Sequence, residues 1–254
     1  MTSELRSRYT PVLLMEGHRL IKTRQFSGSR YLGDPINTIF TFNEKCVDEL
    51  ILMDITRSSS SSDVDVEFLR KCAQNATMPI CYGGGINTID VALQLVEAGI
   101  EKLSLNSVLY KSPEFINKLS ACIGAQSVAV CLDVRKNEKG EYCVYSNRNT
   151  VNQGLLSAKL NSVSNLNFGE LIIHNIDRDG TKLGLDKKLI DIIWSITDRP
   201  VTFIGGSFKK TELLDLGKLY KGIGLGAGSA FVFMGSNDAV LPNYFSTDQK
   251  RFLY

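Results

Sequence analysis

The chain has 254 residues, of which 43% are hydrophobic and 22% are charged, and its formal net charge is +2. This length fits one or two domains, and a charge so close to zero argues against a nucleic-acid or membrane-surface partner. Residues 1–10 lack the apolar core of a signal peptide. The uncharged run from Gly222 to Asn237 is too short and too rich in glycine to cross a bilayer. We therefore expect a cytoplasmic protein.

Cysteine and histidine are placed in a way that argues against disulfide and metal chemistry. The only histidines are His18 and His174, which makes a histidine-based metal site improbable on composition. Apolar surroundings predict reduced, buried cysteines, so we expect neither a metal nor a cofactor. No C-x-x-C pair occurs among the six cysteines, which are Cys46, Cys72, Cys81, Cys122, Cys131 and Cys143.

Eight short apolar runs alternate with helical patterns along the chain. Most are apolar throughout, which is typical of parallel strands buried on both faces. Strand–helix alternation repeated eight times predicts a parallel sheet, and because no run resembles an edge strand, we predict a closed α/β fold, a (β/α)8 TIM barrel. The runs are residues 10–15, 49–55, 78–83, 102–106, 127–134, 170–176, 200–205 and 222–228.

Helix boundary signals lie between the predicted strands. Residues 88–99 have Thr88 as the N-cap and Gly99 at the end, and residues 112–124 have Ser112 as the cap with Pro113 at the first helical position. Residues 185–196 and 210–220 show the same helical spacing.

An internal repeat divides the chain into two similar halves. Nearly constant offsets over such long separations predict one domain, residues 1–254, made of two half-barrels at about 1–124 and 125–254. The matched pairs are Asp54 with Asp177 at an offset of 123, Gly83 and Gly84 with Gly205 and Gly206 at 122, Ser107 with Ser229 at 122, and Leu14 with Asp133 at 119.

Each predicted half has a glycine run after its third strand and a small turn after its fourth. Glycine lets backbone N–H groups approach an anion closely, and phosphate sites commonly lie beyond the last two strands of such barrels. The duplication predicts a second phosphate site across the barrel mouth, although tight turns alone would also explain the glycines. The positions are Gly83, Gly84, Gly85, Asn106 and Ser107 in one half, and Gly205, Gly206, Gly228 and Ser229 in the other.

Acidic residues end two of the predicted strands. Asp133 follows an apolar run on the side where catalytic groups are expected, so it is a candidate general acid or base, with a salt bridge to a Lys or Arg as the alternative. Residues 176–181, IDRDGT, follow the sixth strand and suit a loop that contacts phosphate and substrate, and Asp54 is interpreted as its counterpart in the first half.

The segments LLMEGHRLIKT, DELILMDIT, CYGGGI, KLSLNS, AVCLDV, GELIIHNIDRDGTKLG and GSAFVF resemble the cyclase subunit of imidazole glycerol phosphate synthase, the HisF family. The resemblance covers nearly the whole chain. It implies a barrel that docks a glutaminase on its N-terminal face and receives ammonia through its interior. Ammonia then reacts with a ribulosyl bis-phosphate, which yields imidazole glycerol phosphate and an aminoimidazole carboxamide ribotide.

The same resemblance assigns roles to individual positions. It implies one phosphate site at Gly85, Asn106 and Ser107, and another at Asp179, Gly180, Gly206, Gly228 and Ser229. It places Lys22 near the substrate. It also implies an ammonia gate formed by Arg8, Glu49, Lys102 and Glu170, for which a purely structural cluster of ion pairs is the alternative.

One position departs from the family pattern. The family uses two aspartates on opposite strands as acid and base; Asp133 matches one, but the other position holds Leu14. The internal repeat also pairs Leu14 with Asp133. Because one acid–base group contributes roughly 10²–10⁴-fold, we expect impaired cyclisation unless another residue substitutes. Glu16 is two residues further, about 6.6 Å along a strand, and is a poor substitute.

Three functions are compatible with these residues. The first is a HisF-type synthase subunit. The second, favoured by Leu14, is a barrel that does not cyclise its ligand but activates a glutaminase and relays ammonia to a sugar amidotransferase, as in a divergent branch associated with surface-polysaccharide (lipopolysaccharide) genes. The tail 234–254 is in keeping with that branch. The third, an isomerase of the sister histidine-pathway barrel, needs the aspartate pair and ranks last.

Overall fold

The computed structural model describes residues 6–56, 64–146, 150–246 and 248–249. The strands are β1 (Arg8–Glu16), β2 (Arg19–Arg24), β3 (Ser27–Gly33), β4 (Leu50–Asp54), β5 (Ile80–Gly83), β6 (Lys102–Leu105), β7 (Val128–Lys136), β8 (Tyr142–Ser146), β9 (Val151–Leu155), β10 (Glu170–Asn175), β11 (Val201–Ile204), β12 (Gly224–Ala227), β13 (Phe233–Met234) and β14 (Ala239–Val240). The helices are α1 (Pro35–Glu44), α2 (Val66–Asn75), α3 (Ile89–Glu97), α4 (Ser107–Lys111), α5 (Glu114–Ile123), α6 (Leu156–Ser164), α7 (Lys187–Trp194), α8 (Lys210–Leu219) and α9 (Ser229–Val232), with a 3₁₀ turn at Ala125–Ser127.

Eight of the strands close into a parallel barrel. Their order is β1, β4, β5, β6, β7, β10, β11 and β12, and parallel pairing of β12 with β1 completes the ring. Each of the eight apolar runs contains most or all of one barrel strand. The predicted (β/α)8 barrel is therefore confirmed.

The centre of the barrel is filled with side chains. Inward-facing residues alternate along each strand with outward-facing residues that pack under the helices, where most of the core lies. A layer of small and branched side chains closes the middle of the barrel, so the two ends are separate environments. This layer consists of Val12, Ile51, Cys81, Ala129, Cys131, Ile172 and Ile204.

An antiparallel extension follows the first strand of each half. β1 continues into β2 and β3, and β7 continues into β8 and β9. The prediction that the chain has no edge strand is wrong, because β3 and β9 each pair on one side only among the described residues. The two extensions rise from the same end of the barrel and follow the first and fifth barrel strands, which lie opposite one another in the ring.

The register of the barrel corrects two of the predicted repeat offsets. Leu14 pairs with Met53, and Asp133 pairs with His174, so Met53 and His174 are equivalent at an offset of 121. A side chain added at Gly84 would collide with the carbonyl of Asp54, and one added at Gly205 would collide with the carbonyl of Asn175. The counterpart of Asp54 is therefore Asn175 rather than Asp177. Likewise, Gly84 is the counterpart of Gly205, whereas the sequence paired Gly83 with Gly205.

The helices largely follow their sequence signals. The Thr88 hydroxyl accepts a hydrogen bond from the Val91 N–H at 3.3 Å, which confirms the cap of α3. The prediction for α5 needs correction, because Pro113 occupies the cap position and the Ser112 hydroxyl instead bonds the Glu114 carboxylate. Within the described ranges, none of the helices combines the length and apolarity needed to cross a membrane.

The cysteines are all free, but they are not all buried. Four lie in the core, whereas Cys46 and Cys122 are exposed. The prediction of buried thiols is therefore wrong at these two positions, which lie beyond the end of α1 and near the end of α5, where the chain faces solvent.

Candidate active site

A cavity of about 620 Å³ opens at the carboxyl ends of the barrel strands. Parallel barrels place the loops that follow every strand at this end, so residues distant in sequence meet here. Every position that the sequence assigns to catalysis or substrate binding lines the cavity, as does Leu14. These residues are Leu14, Lys22, Gly85, Asn106, Ser107, Asp133, Asp179, Gly180, Gly206, Gly228 and Ser229.

Two equivalent glycine turns border the cavity. Gly84 and Gly85 have φ angles of 139° and 70°, and Gly205 and Gly206 have φ angles of 109° and 103°. These values lie in the region that favours glycine. Close packing alone explains Gly84 and Gly205, which contact neighbouring backbone carbonyls. The turns nevertheless bring backbone close to the cavity in both halves.

A small turn begins a short helix beside each glycine pair. Asn106 and Ser107 begin α4, and Gly228 and Ser229 begin α9. The Asn106 amide donates to the Cys131 carbonyl and to the Asp133 carboxylate, both at 3.1 Å. The first turn is thereby held against the strand that presents Asp133.

A chain of alternating charges crosses one side of the cavity. His174 Nδ1 lies 3.5 Å from Asp133 Oδ1, and His174 Nε2 lies 3.8 Å from Asp179 Oδ1. Lys22 Nζ lies 3.3 Å from the same Asp179 oxygen. The partner of Asp133 is thus a histidine and an amide rather than the Lys or Arg that the salt-bridge alternative required.

His174 is the site residue that the sequence analysis missed. It lies on β10 in register with Asp133 on the neighbouring β7, and it is buried. Burial by itself would lower the pKa of the imidazole, but attraction to Asp133 and Asp179 outweighs it and raises the pKa to about 9. His174 is therefore an imidazolium at neutral pH.

The pKa of Asp179 shifts in the complementary direction. Burial would raise it, but His174 and Lys22 lower the pKa to about 2. The carboxylate stays ionised, with two cationic partners on the cavity wall.

Several polar atoms of the cavity wall have no hydrogen-bond partner among the described residues. Native proteins pair more than about 90% of buried polar groups, so a cluster of unpaired atoms indicates a place for a polar ligand or for water. The cavity-lining atoms are Thr23 Oγ1, Ser104 Oγ, Tyr110 Oη, His174 Nε2 and Asp179 Oδ2.

The barrel positions opposite Asp133 and His174 hold apolar side chains. Leu14 on β1 is buried beside Met53 on β4, and in the strand order these two strands lie across the barrel from Asp133 and His174. Glu16 is exposed at the end of β1 and does not line the cavity. β7, β10 and the loop that follows β10 present Asp133, His174 and Asp179, and Lys22 on β2 and Asp54 at the end of β4 also line the cavity.

The turn between β2 and β3 folds over the charged side. The backbone N–H of Gln25 donates to the backbone carbonyl of Asp179 at 3.0 Å. The side-chain amide of Gln25 donates to the backbone carbonyl of Asp177 at 2.9 Å. The Phe26 ring makes an edge contact with His174, with ring centroids 5.0 Å apart. Asp177 itself faces away and pairs with Arg135 at 3.3 Å.

The other end of the barrel contains the four residues of the charged ring, Arg8, Glu49, Lys102 and Glu170. Lys102 Nζ lies 2.7 Å from Glu49 and 2.6 Å from Glu170, and Arg8 lies 2.7 Å from Glu170. Burial would raise the pKa of Glu170, but Arg8 and Lys102 hold it below its usual value. The ring is closed by ion pairs.

A family model described as histidine biosynthesis protein matches residues 11–236, which include both halves of the barrel. The chain belongs to this family.

Relatives of this family member carry a consistent description. It is 36% identical to the "Putative imidazole glycerol phosphate synthase subunit hisF3" of Vibrio vulnificus, over 97% of this chain and 96% of that protein. It is 37% identical to the "Putative imidazole glycerol phosphate synthase subunit hisF2" of Pseudomonas aeruginosa, over 94% and 96%. It is 33% identical to the "Imidazole glycerol phosphate synthase subunit HisF" of a Hydrogenobaculum species, over 90% and 91%.

The N-terminal face of this histidine-biosynthesis barrel has exposed apolar side chains near the charged ring. Helices run opposite to strands in the barrel, so the ends of α7 and α8 lie on this face. Ile196, just beyond α7, is 55% exposed, and Leu219, at the end of α8, is 59% exposed. Between them, the rings of Trp194 and Tyr220 make an edge contact. This face combines apolar area with ion pairs, as protein interfaces do.

Proposed function

We propose that the whole chain acts as one HisF-type barrel, the cyclase subunit of a glutamine amidotransferase complex in histidine biosynthesis. Its substrate is a ribulosyl compound with a phosphate at each end, which reacts with ammonia to give imidazole glycerol phosphate and aminoimidazole carboxamide ribotide. The observation that carries this proposal is a single cavity in which two equivalent glycine-bordered turns flank a wall of buried, unpaired polar atoms.

The two turns supply one phosphate site each. Gly85, Asn106 and Ser107 form the first, where exposed backbone and small side chains leave room for phosphate oxygens. In the second, the Lys22 ammonium lies 3.3 Å from the position that a side chain on Gly228 would take. The remaining residues of the second site are Asp179, Gly180, Gly206 and Ser229.

Asp133 acts on the reacting centre between the two phosphates. Its carboxylate is half-buried, is oriented by the Asn106 amide and faces the cavity. A carboxylate in this position can accept the proton that ammonia must lose when its nitrogen bonds to carbon.

The charged ring and the N-terminal face serve ammonia supply. A glutaminase docked over Ile196 and Leu219 would release ammonia next to the ring, and a shift of one ion pair would open a route into the barrel. A ring with two cations and two anions also excludes charged solutes while it is closed.

The direct test of this function supplies ammonia without a glutaminase. The purified chain is incubated with the ribulosyl bis-phosphate and an ammonium salt, and both products are followed by chromatography. We expect the two products in equal amounts, at a rate that rises with the concentration of free ammonia. An unconsumed bis-phosphate would contradict the proposal.

Leu14 favours a second candidate function, a barrel that activates the glutaminase and relays ammonia to a sugar amidotransferase. An apolar side chain at this position provides no proton transfer on the β1 side of the cavity. The discriminating experiment adds the barrel to the glutaminase in the presence of the bis-phosphate. Faster glutamine hydrolysis without consumption of the bis-phosphate supports the relay, and formation of both products excludes it.

A further inference from the structure

Addition of ammonia to a carbonyl carbon requires two proton transfers. The nitrogen lone pair forms the C–N bond, the C–O bond breaks, and the carbonyl oxygen leaves as water with two protons that were on nitrogen. One group must take protons from nitrogen and another must give them to oxygen. Asp133 can do the first, and β1 itself presents Val12 and Leu14 to the cavity, neither of which can do the second.

His174 has the position and the surroundings that the second role requires. It lines the cavity next to Asp133 on the neighbouring strand, and its Nε2 is buried without a hydrogen-bond partner among the described residues. The elements packed against His174 present the following side chains: β7 presents Asp133, β11 presents the apolar Ile204, the loop after β10 presents Asp179 with Lys22 of β2 behind it, and the β2–β3 turn presents Phe26.

We propose that His174 is the catalytic residue that donates protons to the departing oxygen, and that it replaces an acid on β1. This inference rests on the proposed function. The Asp133 carboxylate takes a proton from nitrogen while the His174 imidazolium gives one to oxygen. His174 Nδ1, which faces Asp133 at 3.5 Å, keeps its proton throughout, so the vacant position is Nε2. Proton exchange with solvent in the open cavity takes the proton from Asp133 and returns one to Nε2, which restores both groups for the second transfer. No oxidant or reductant is needed.

The test compares turnover with saturating ammonium in three variants. His174→Gln keeps a polar side chain but cannot donate a proton as imidazolium, so we expect kcat to fall ~10²–10⁴-fold with KM changed less than about threefold. The double variant His174→Gln with Leu14→Asp supplies an acid from the opposite strand. Its kcat should be at least about tenfold higher than that of His174→Gln alone. His18→Gln changes the other histidine, which is exposed and outside the cavity, and should behave as the unmodified chain.

The pH profile provides a readout that a purely structural role would not move. The unmodified chain should lose kcat as pH rises through the pKa of His174, whereas His174→Gln should lack this alkaline limb. Thermal unfolding and calorimetric binding of the bis-phosphate verify that His174→Gln is folded and still binds.

The outcomes separate this inference from the proposed function. Normal kcat in His174→Gln, or a loss that Leu14→Asp does not restore, overturns the role of His174 while the unmodified chain remains a cyclase. An unmodified chain without turnover overturns the proposed function, and with it the step that His174 would serve.

Discussion

At the scale of single residues, His174 links the stability of the barrel to pH. Its pKa is about 9 in the folded chain against 6.5 for an ordinary histidine. A raised pKa means that the contribution to stability is complete below pH 6.5 and is lost as pH rises through about 9. We expect the difference in unfolding free energy between the unmodified chain and His174→Gln to shrink over this range, by on the order of 3 kcal/mol.

Urea denaturation at a series of pH values measures this difference. The complementary effect belongs to Asp179, whose pKa falls from 3.8 to about 2, so its contribution is lost as pH falls through that lower value. His18→Gln is the control and should follow the unmodified chain. A difference that stays constant between neutral and alkaline pH would show that His174 is not paired as the structure describes.

At the scale of single elements, the turn between β2 and β3 breaks a local rule. Gln25 and Phe26 form a two-residue turn with φ angles of 49° and 63°. Such turns favour Asn-Gly, because a side chain at positive φ is strained. The hydrogen bonds of Gln25 to the IDRDGT loop and the contact of Phe26 with His174 explain why these residues occur here.

Phe26→Gly separates turn geometry from site coverage. Glycine relieves the strain of the positive φ angle but removes the ring that packs on His174. Because an aromatic contact is worth about 1 kcal/mol, we expect KM for the bis-phosphate to rise roughly five- to tenfold with ammonium as the nitrogen source. An unchanged KM would mean that this turn does not cover the bound ligand.

The two half-sites can be tested one at a time. Ser107→Asp and Ser229→Asp each place a carboxylate where a phosphate is proposed, so repulsion should weaken bis-phosphate binding by ~10²-fold in each variant. Calorimetry measures the affinity for the bis-phosphate. Because Ser229 is buried, thermal unfolding verifies that Ser229→Asp is still folded. If only one substitution weakens binding, the ligand does not span both turns.

The elements show which parts of the structure the sequence could reveal. Apolar runs located all eight barrel strands, because strands covered on both faces are continuously hydrophobic. The extensions β2–β3 and β8–β9 were missed because β3 and β9 are largely exposed and the first turn lacks Asn-Gly. His174 was missed for a related reason: within a run that is apolar throughout, the pattern does not tell which residues face the cavity.

The repeat was recognisable because each half keeps its glycine turn at a fixed place. The residue-by-residue alignment of the two halves could not be predicted, because their loops differ in length. Only strand pairing aligns Met53 with His174 and Asp54 with Asn175.

At the scale of the whole molecule, the charged ring closes the N-terminal end of the barrel by ion pairs. Lys102 pairs with both Glu49 and Glu170 and is largely buried. Lys102→Met would leave two carboxylates with Arg8 alone, so we expect a loss of about 3 kcal/mol of unfolding free energy by urea denaturation. Ammonium-dependent turnover should change little, while glutamine-dependent turnover should fall.

Lys187→Met is the matched control for this prediction. Lys187 forms a surface pair with Asp191 at 3.1 Å within α7, and exposed pairs contribute little to stability. Equal effects of the two substitutions would indicate that the ring is no more important to the fold than a surface ion pair.

The proposed function has one main requirement: two equivalent half-sites hold one ligand by a phosphate at each end. Calorimetric titration of the unmodified chain with the ribulosyl bis-phosphate, and with each of its two mono-phosphates, tests it most directly. We expect one bis-phosphate per chain, bound ~10²-fold or more tightly than either mono-phosphate, because the second phosphate binds intramolecularly. Equal affinities for the bis-phosphate and one of the mono-phosphates would contradict it.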